Sequence, residues 1–329
     1  MNDPRTGSTP EVCVVIPNRN RDTRLTFALD ALAEQTLAPD RFEVIVVRDR
    51  PSRGLALQPP PELPLRVIEL DHDAEPSRKR NIGWRASDAP LVAFTDDDCR
   101  PAADWLESLL AAWDNHGRSA DVFLQGRTEP DPDERHLLHR LARSQTIREP
   151  SPTFQCCNIA YPRRLLERVG GFDEEFDFGG EDTDLGLRAL DTGARRIYFD
   201  DVLVWHAVHP RGLAAAVRDS LRWKSQPLLI KRHPELRDQM VHRYFWKEAH
   251  AGIVLAAAGV ALAPRTGGLS LLAAIPYARW NRKAAPRKRL TSPRSVAALS
   301  VLLAERTVID AAEVVGTARG AIRYRTPLL

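Results

Sequence analysis

The sequence predicts an α/β fold, with a Rossmann-like, mostly parallel sheet, flanking helices, and a helical region at the C-terminal end. Three observations carry this. Short apolar runs of strand length alternate with helix-spaced leucines through the first hundred residues. Several of these runs end in polar clusters, as strands of a parallel sheet do where they emerge at a ligand-binding edge. The last third then turns to Ala-, Val- and Leu-rich segments.

Val12-Cys13-Val14-Val15-Ile16, closed by Pro17, predicts a first buried strand. Thr23 to Gln35 carries Leu25, Leu29 and Leu32 at helical spacing. Phe42 to Val47 predicts a second strand, and Leu65 to Leu70, beyond Pro59-Pro60-Pro61, a third. Ser77 to Ala86 reads as a helix and Leu91 to Phe94 as a fourth strand. Pro101 to Trp113 reads as a helix with proline near its first turn. Further on, Glu129 to Asp133 is an acidic, proline-punctuated loop. Phe154 to Tyr161 predicts a strand and Arg163 to Val169 a short helix stopped by Gly170-Gly171. Glu181 to Ala189 is a helix with acids at its start, which suits its dipole, and Arg196 to Trp205 is a strand.

The chain has 329 residues, enough for one large or two modest domains. A net charge of +3 gives no ground for a nucleic-acid partner. Seven Lys or Arg and no acid lie between Arg279 and Arg294, a block that suits anionic lipid, RNA or a solvated linker. Cys13, Cys99, Cys156 and Cys157 fit no zinc spacing, and reduced thiols in the cytosol are the simplest expectation. Residues 1–11 are polar, without the apolar core of a signal peptide. The apolar segments 249–263 and 269–278 are each shorter than the roughly 20 residues of a spanning helix. They read either as a hairpin dipping into one leaflet, with Tyr277 and Trp280 at the interface, or as buried core helices.

Phe94-Thr95-Asp96-Asp97-Asp98 is the most informative segment. Adjacent carboxylates at a strand end repel one another unless a cation or donors compensate. Asp-x-Asp there can present hard oxygens to Mg²⁺ or Mn²⁺, and a solvated turn is the alternative. Asp49, ending the second strand, can accept a hydrogen bond from a base or ribose, or serve a turn. No glycine-rich dinucleotide loop follows the first strand, and no Walker A sequence occurs. Three cations in Ser77-Arg78-Lys79-Arg80 at a helix start predict a negative group nearby, such as a diphosphate, or else an exposed basic face. Phe176-Asp177-Phe178-Gly179-Gly180-Glu181-Asp182 is a second acid cluster. Its phenylalanines can raise a carboxyl pKa by desolvation, as a general base requires, and helix capping is the alternative. His206, at a strand end, can add a nitrogen ligand to a carboxylate-bound ion or be structural. His209 ranks behind it because Pro210 turns the chain away.

In this order the motifs resemble the family 2 glycosyltransferases of GT-A fold, over roughly Glu11 to His209. Val14 to Arg21 is similar to the family's opening strand and its Pro-x-x-Asn turn. Asp49 takes the place of its base-recognising Asp, although the usual acid pair and Gly-Ser are replaced by Arg48-Asp49-Arg50-Pro51. Arg80-Asn81-Ile82-Gly83 resembles its Arg-Asn-x-Gly helix, and Asp96-Asp97-Asp98 its Asp-x-Asp metal motif. Asn158 to Phe172 resembles its acceptor-side segment, Gly180-Glu181-Asp182 its catalytic Glu-Asp motif, and His206 its occasional metal-ligating His. The C-terminal third is similar to bacterial, membrane-associated members.

The resemblance implies inverting transfer of a sugar from a nucleotide-diphosphate donor (UDP, GDP or dTDP type) to an acceptor hydroxyl. The acceptor would be a glycan or lipid-linked molecule of the cell envelope or a polysaccharide. Asp98, with His206 and Asp96, would hold Mg²⁺ or Mn²⁺. Pro17, Asn18, Asn20, Arg21, Asp49, Arg80, Asn81, Asp96 and Asp97 would bind the nucleotide sugar, with Asp97 having the weakest claim to a direct role. Asp182, or else Glu181, would be the catalytic base. The implied division is a disordered stretch over 1–10 and a transferase domain over 11–210. Its nucleotide half ends near residue 100 and its acceptor half follows. A helical region over 211–329 completes the chain, with its basic stretch at 279–294. The protein would be cytoplasmic, at the inner face of the cell membrane and against an anionic surface, with no nucleic-acid partner. A nucleotidyltransferase and a non-catalytic nucleotide-sugar-binding protein are the competing readings. The first lacks its glycine-rich opening loop here, and both acid clusters being intact argues against the second.

Overall fold

A computed structural model of the chain describes residues 9–19, 21–49, 58–177, 179–284 and 293–329. Asn20, Arg50, Pro51, Phe178 and much of the basic stretch lie outside the described residues. The chain divides into two compact units, Met1–Pro210 and Arg211–Leu329.

The first unit is built on an eight-stranded sheet: β1 (Val12–Asn18), β2 (Phe42–Asp49), β3 (Leu65–Leu70), β4 (Leu91–Phe94), β5 (Cys99–Pro101), β6 (Val122–Pro130), β7 (Ile159–Pro162) and β8 (Arg195–His206). Their order is β3-β2-β1-β4-β7-β6-β8-β5, and only β5 and β7 run against the rest. The flanking helices are α1 (Asp22–Ala33), α2 (Pro76–Arg85), α3 (Trp105–Asp114), α4 (Arg163–Val169) and α5 (Glu181–Asp191). β1 is buried along its whole length because helices cover both faces of the sheet. On one face Val14, Ile16 and Val44 pack with Leu25 and Leu29 of α1 and Trp105 and Leu109 of α3. On the other, Val15, Ile45 and Phe94 pack with Trp84 of α2 and Leu185 of α5. Period-two alternation on β1 and β2 thus serves two separate cores.

Two local expectations are corrected. Pro101 does not open a helix: Cys99–Pro101 is an edge strand paired with β8, and α3 starts only at Trp105. Proline suits that edge, where its missing N–H interrupts no ladder. The strand expected over Phe154 to Tyr161 shortens to Ile159–Pro162, and Phe154 has a left-handed φ of 49°. All four cysteines are buried free thiols.

The second unit is helical: α6 (Leu213–Ser220), α7 (Gln226–Arg232), α8 (Glu248–Leu262), α9 (Ile275–Ala284) and α10 (Pro293–Tyr324). Buried polar contacts tie its helices together. Glu313 of α10 accepts from Lys247 Nζ at 2.8 Å and faces the buried His250 Nε2 at 3.0 Å. Tyr277 donates its hydroxyl to Asp310 at 2.8 Å. No described helix is long and apolar enough to cross a membrane.

Candidate active site

Strand register assembles the site. Parallel pairing of β1 with β4 sets Val15 opposite Phe94, so Asn18 and the three aspartates leave the sheet side by side. Pairing of β1 with β2 sets Asn18 opposite Arg48, which brings Asp49 next to them. Antiparallel pairing of β5 with β8 sets Cys99 opposite His206, and Ala207 N–H donates to the Asp98 carbonyl at 2.8 Å. That register carries His206 across more than a hundred residues to Asp98.

The three aspartates have separate surroundings. Asp97 is fully buried and accepts from Asn18 Nδ2 at 2.9 Å and from Arg19 N–H at 3.4 Å. Arg21 Nη2 lies 2.6 Å from its Oδ1, an ion pair without hydrogen-bond alignment. Burial pushes the Asp97 carboxyl up to about 7, with Arg21 opposing and the neighbouring aspartates adding to the rise. Asp98 is also buried, and it bonds Arg21 and accepts from His209 Nε2 at 2.8 Å. Burial works to raise its carboxyl, but His209, His206 and Arg21 together hold it well below the usual range. Asp96 stays partly exposed and accepts from Arg80 Nη2 at 2.9 Å.

Histidine 206 has a defined tautomer. Its Nδ1 is 2.8 Å from the Ala207 carbonyl, which can only accept, so Nδ1 carries the hydrogen. In the neutral ring Nε2 then presents a lone pair toward Asp98 Oδ1, 3.7 Å away. That separation is too wide for a hydrogen bond, yet two metal–ligand bonds of about 2.1 Å span it. A carboxylate oxygen and a bare imidazole nitrogen facing each other fit a divalent cation. His209, which the sequence ranks second, contacts Asp98 more closely than His206 does, so both histidines converge there. Cys99 also lies within this group, but burial raises its thiol pKa and a hard ion prefers oxygen.

Two of the three cations at the start of α2, Lys79 and Arg80, meet protein carboxylates, while Arg78 is exposed. Lys79 is buried and donates to Asp49 Oδ2 at 2.6 Å and to the Asn18 carbonyl at 2.8 Å. Burial pulls Lys79 below the ordinary lysine value, and Asp49 works against that pull. Asp49 Oδ1 accepts from Ala74 N–H at 2.9 Å. Arg80 reaches Asp96 with one nitrogen and Glu181 Oε1, at 3.0 Å, with the other, and its guanidinium lies over the Phe172 ring. Asn81 is engaged with the turn before α5: its amide donates to the Phe172 carbonyl and accepts from Phe172 N–H, both at 2.9 Å. Pro17 is within β1, in register with Val47.

Gly179 and Gly180 have φ of 84° and 101°, which a residue with Cβ adopts only at a cost, and they turn the chain into α5. Glu181 follows and is held by Arg80, although its Oε2 has no hydrogen-bond partner among the described residues. Asp182 is half-buried, and its Oδ1 accepts from Thr183 N–H. Burial and then the Glu181 charge push the Asp182 carboxyl up to about 8, against the pull of Arg80. Phe176, a few residues before this turn, is buried. A cavity of about 190 Å³ beside Asp98 is lined by Arg24, Arg100, Asp131 and Glu134 among others.

Residues 13–170 match the glycosyl transferase family 2 model. The chain is 28% identical over 284 residues to a validoxylamine A glucosyltransferase of Streptomyces hygroscopicus subsp. limoneus, covering 75% of this chain and 61% of that protein. It is 29% identical over 251 residues to the pre-mycofactocin glycosyltransferase of Mycobacterium tuberculosis H37Rv, covering 70% and 51%. The chain thus spans about three fifths of the first of these relatives and half of the second. Among solved structures, a mannosyltransferase from Pyrobaculum calidifontis, bound to GDP-Man and Mn²⁺, superposes with a TM-score of 0.58 at 20% identity. That match covers 95% of this chain and 87% of the other, and it shows the fold. The fold is that of the GT-A class. The match to glycosyl transferase family 2 spans the strands and helices of the site up to the end of α4.

Proposed function

We propose that this chain is a glycosyltransferase that moves a sugar from a nucleotide diphosphate to an acceptor hydroxyl with inversion, in a cation-dependent reaction. The observation that carries this is the convergence of two acid clusters on one arginine. Arg80 bonds Asp96, from the strand-end triad, and Glu181, from the start of α5. A donor phosphate side and an acceptor side therefore meet at one guanidinium. The transferase domain would use residues up to about 100 for the nucleotide and the remainder to 210 for the acceptor.

Asp98 and His206 are the residues to hold Mg²⁺ or Mn²⁺, with His209 donating to the same Asp98 carboxylate and Asp96 as a further oxygen ligand. Such an ion supplies positive charge against the diphosphate as the glycosidic bond breaks. Arg80 adds positive charge beside it. Asp49 and Asn18 orient the nucleoside, and Lys79 fixes both by holding the Asp49 carboxylate and the Asn18 carbonyl. Asp182 takes the proton from the acceptor oxygen. It is the better base because Glu181 is committed to Arg80, while Asp182 has no basic partner within hydrogen-bond distance among the described residues.

The acceptor is read as a glycan or lipid-linked molecule of the cell envelope, met at the inner face of an anionic membrane. Leu269, 70% exposed, and the exposed Val260, Leu262, Leu271 and Leu272 cluster around the turn between α8 and α9. The sequence has no acid from 249 to 304 and eight Lys or Arg. Apolar residues flanked by cations suit an anionic lipid interface.

The test is incubation with UDP-, GDP- and dTDP-sugars, with and without Mn²⁺, and NMR of the product. A cation-requiring product of opposite anomeric configuration to the donor is expected. Retained configuration, or turnover indifferent to chelation, refutes the reading.

A further inference from the structure

Arg21 spans the two buried acids of the triad. One guanidinium nitrogen bonds Asp98 Oδ2 and the other lies 2.6 Å from Asp97 Oδ1. The arginine side chain is 45% exposed, whereas those of Asp97 and Asp98 are 0% and 7% exposed. The guanidinium therefore covers the acids from the solvent side. The residue sits immediately before α1, and its side chain makes no capping bond to that helix. Both acids keep other partners without it. Asp97 retains Asn18 Nδ2 and Arg19 N–H, and Asp98 retains His209.

We propose that Arg21 is an exchangeable counter-ion: it holds the Asp97–Asp98 pair when no divalent cation is bound, and it yields to the cation and turns to the donor's diphosphate. This rests on the reading of Asp98 and His206 as the cation site. A dication between those residues meets the arginine charge across a single carboxylate. Like charges at that range repel, and Asp98 then has two cations competing for one set of lone pairs. The guanidinium's route out is toward solvent, since its own side chain already faces there. A planar guanidinium leaving a carboxylate pair is suited to bind two phosphate oxygens in the same fork geometry. The exchange keeps the buried acids neutralised before loading, and it links cation binding to a positive group for the incoming donor.

The experiment titrates the whole chain with Mn²⁺ alone, following free Mn²⁺ by electron paramagnetic resonance. The proteins are wild type, Arg21→Gln, Arg21→Lys and Asp98→Asn, with thermal unfolding checked for each. A second arm measures inorganic pyrophosphate binding to the Mn²⁺-loaded proteins by calorimetry. Arg21→Gln should bind Mn²⁺ about tenfold more tightly, because one competing charge is gone, and pyrophosphate about tenfold more weakly. Arg21→Lys should stay near wild type in both arms. Mn²⁺ affinity unchanged or weakened in Arg21→Gln overturns the exchange, as does an equal change in both Arg21 variants. If Asp98→Asn binds Mn²⁺ as wild type does, the cation-site reading itself fails and takes the exchange with it. Loss of Mn²⁺ in Asp98→Asn alongside an unmoved Arg21→Gln refutes the exchange alone.

Discussion

The base assignment makes a quantitative prediction about pH. Asp182 is pushed up to about 8 by burial and by Glu181. A base must be ionised, so transfer should rise with pH through that region and level off above it. With a pKa of about 8, roughly a tenth of the carboxyl is ionised at pH 7 and roughly nine tenths at pH 9. In the donor-limited regime kcat/KM reports the free protein, so it should increase about tenfold between those values. Glu181→Gln sharpens the test. It removes a neighbouring negative charge and releases Arg80 from its partner, and both changes lower the Asp182 pKa. The inflexion should move toward acid by about one unit or more, whatever happens to the maximal rate. Asp182→Asn should lower the rate at least about a hundredfold at every pH. The assay is initial-rate product formation at saturating Mn²⁺, with buffers crossed at overlapping pH. A flat profile from pH 6 to 9, or an alkaline displacement in Glu181→Gln, refutes the assignment.

The remaining predictions concern the fold and the surfaces. Lys79→Met leaves Asp49 buried without its cation, so urea unfolding should show a loss of about 3–5 kcal/mol. The double change Lys79→Met with Asp49→Leu should recover much of that loss, and no recovery would mean the pair does not carry the cost. Gly186→Ala would place a Cβ 2.2 Å from the Phe154 ring, and its melting temperature should fall by several degrees, since overpacking costs about 1–3 kcal/mol. Leu269→Glu with Leu272→Glu should reduce flotation with anionic liposomes at least about tenfold and leave the melting temperature unchanged. Undiminished flotation would refute that surface as the lipid contact.

Much of this was legible because the strongest signals are local. Val12 to Ile16 and Phe42 to Val47 are continuous apolar runs, and helices on both faces of the sheet demand such runs. The polar residues that close them are then placed by geometry at one edge. β6 was not legible, because Val122-Phe123-Leu124 is short and the strand goes on through Gln125, Thr128 and Glu129, polar residues that are nevertheless buried. Their partners come from distant segments: Arg148 pairs with Glu129, and Gln125 accepts from Ser151 N–H. Lys79 was hidden by its setting, since Ser-Arg-Lys-Arg at a helix start looks like a solvated face. The available clue was Asp49 at the end of a buried strand, which calls for a cation. The contact of His209 with Asp98 was not legible for another reason. Pro210 does redirect the chain, but only after the pairing of Arg143 with His209 has fixed the imidazole beside Asp98.

The charges explain why two acid clusters can share one small volume. Asp49 has Lys79, Asp97 and Asp98 have Arg21, and Asp96 and Glu181 share Arg80. Among the described site carboxylates Asp182 lies outside these pairings; its carboxyl is raised, as is that of the fully buried Asp97, whereas that of Asp98 is held low. A base and a set of ionised ligands need opposite environments, and the distribution of three cations creates both from one residue type. Arg80 is the pivot. Its removal would leave Asp96 and Glu181 uncompensated, and the extra negative charge would raise Asp182 further. Arg80→Gln should therefore both weaken donor binding and displace the kcat/KM profile toward alkali. Arg21→Gln acts on the triad alone and should leave that inflexion in place. A common displacement in both variants would mean that the two clusters titrate as a single unit, and the separation of roles between Asp98 and Asp182 would fall.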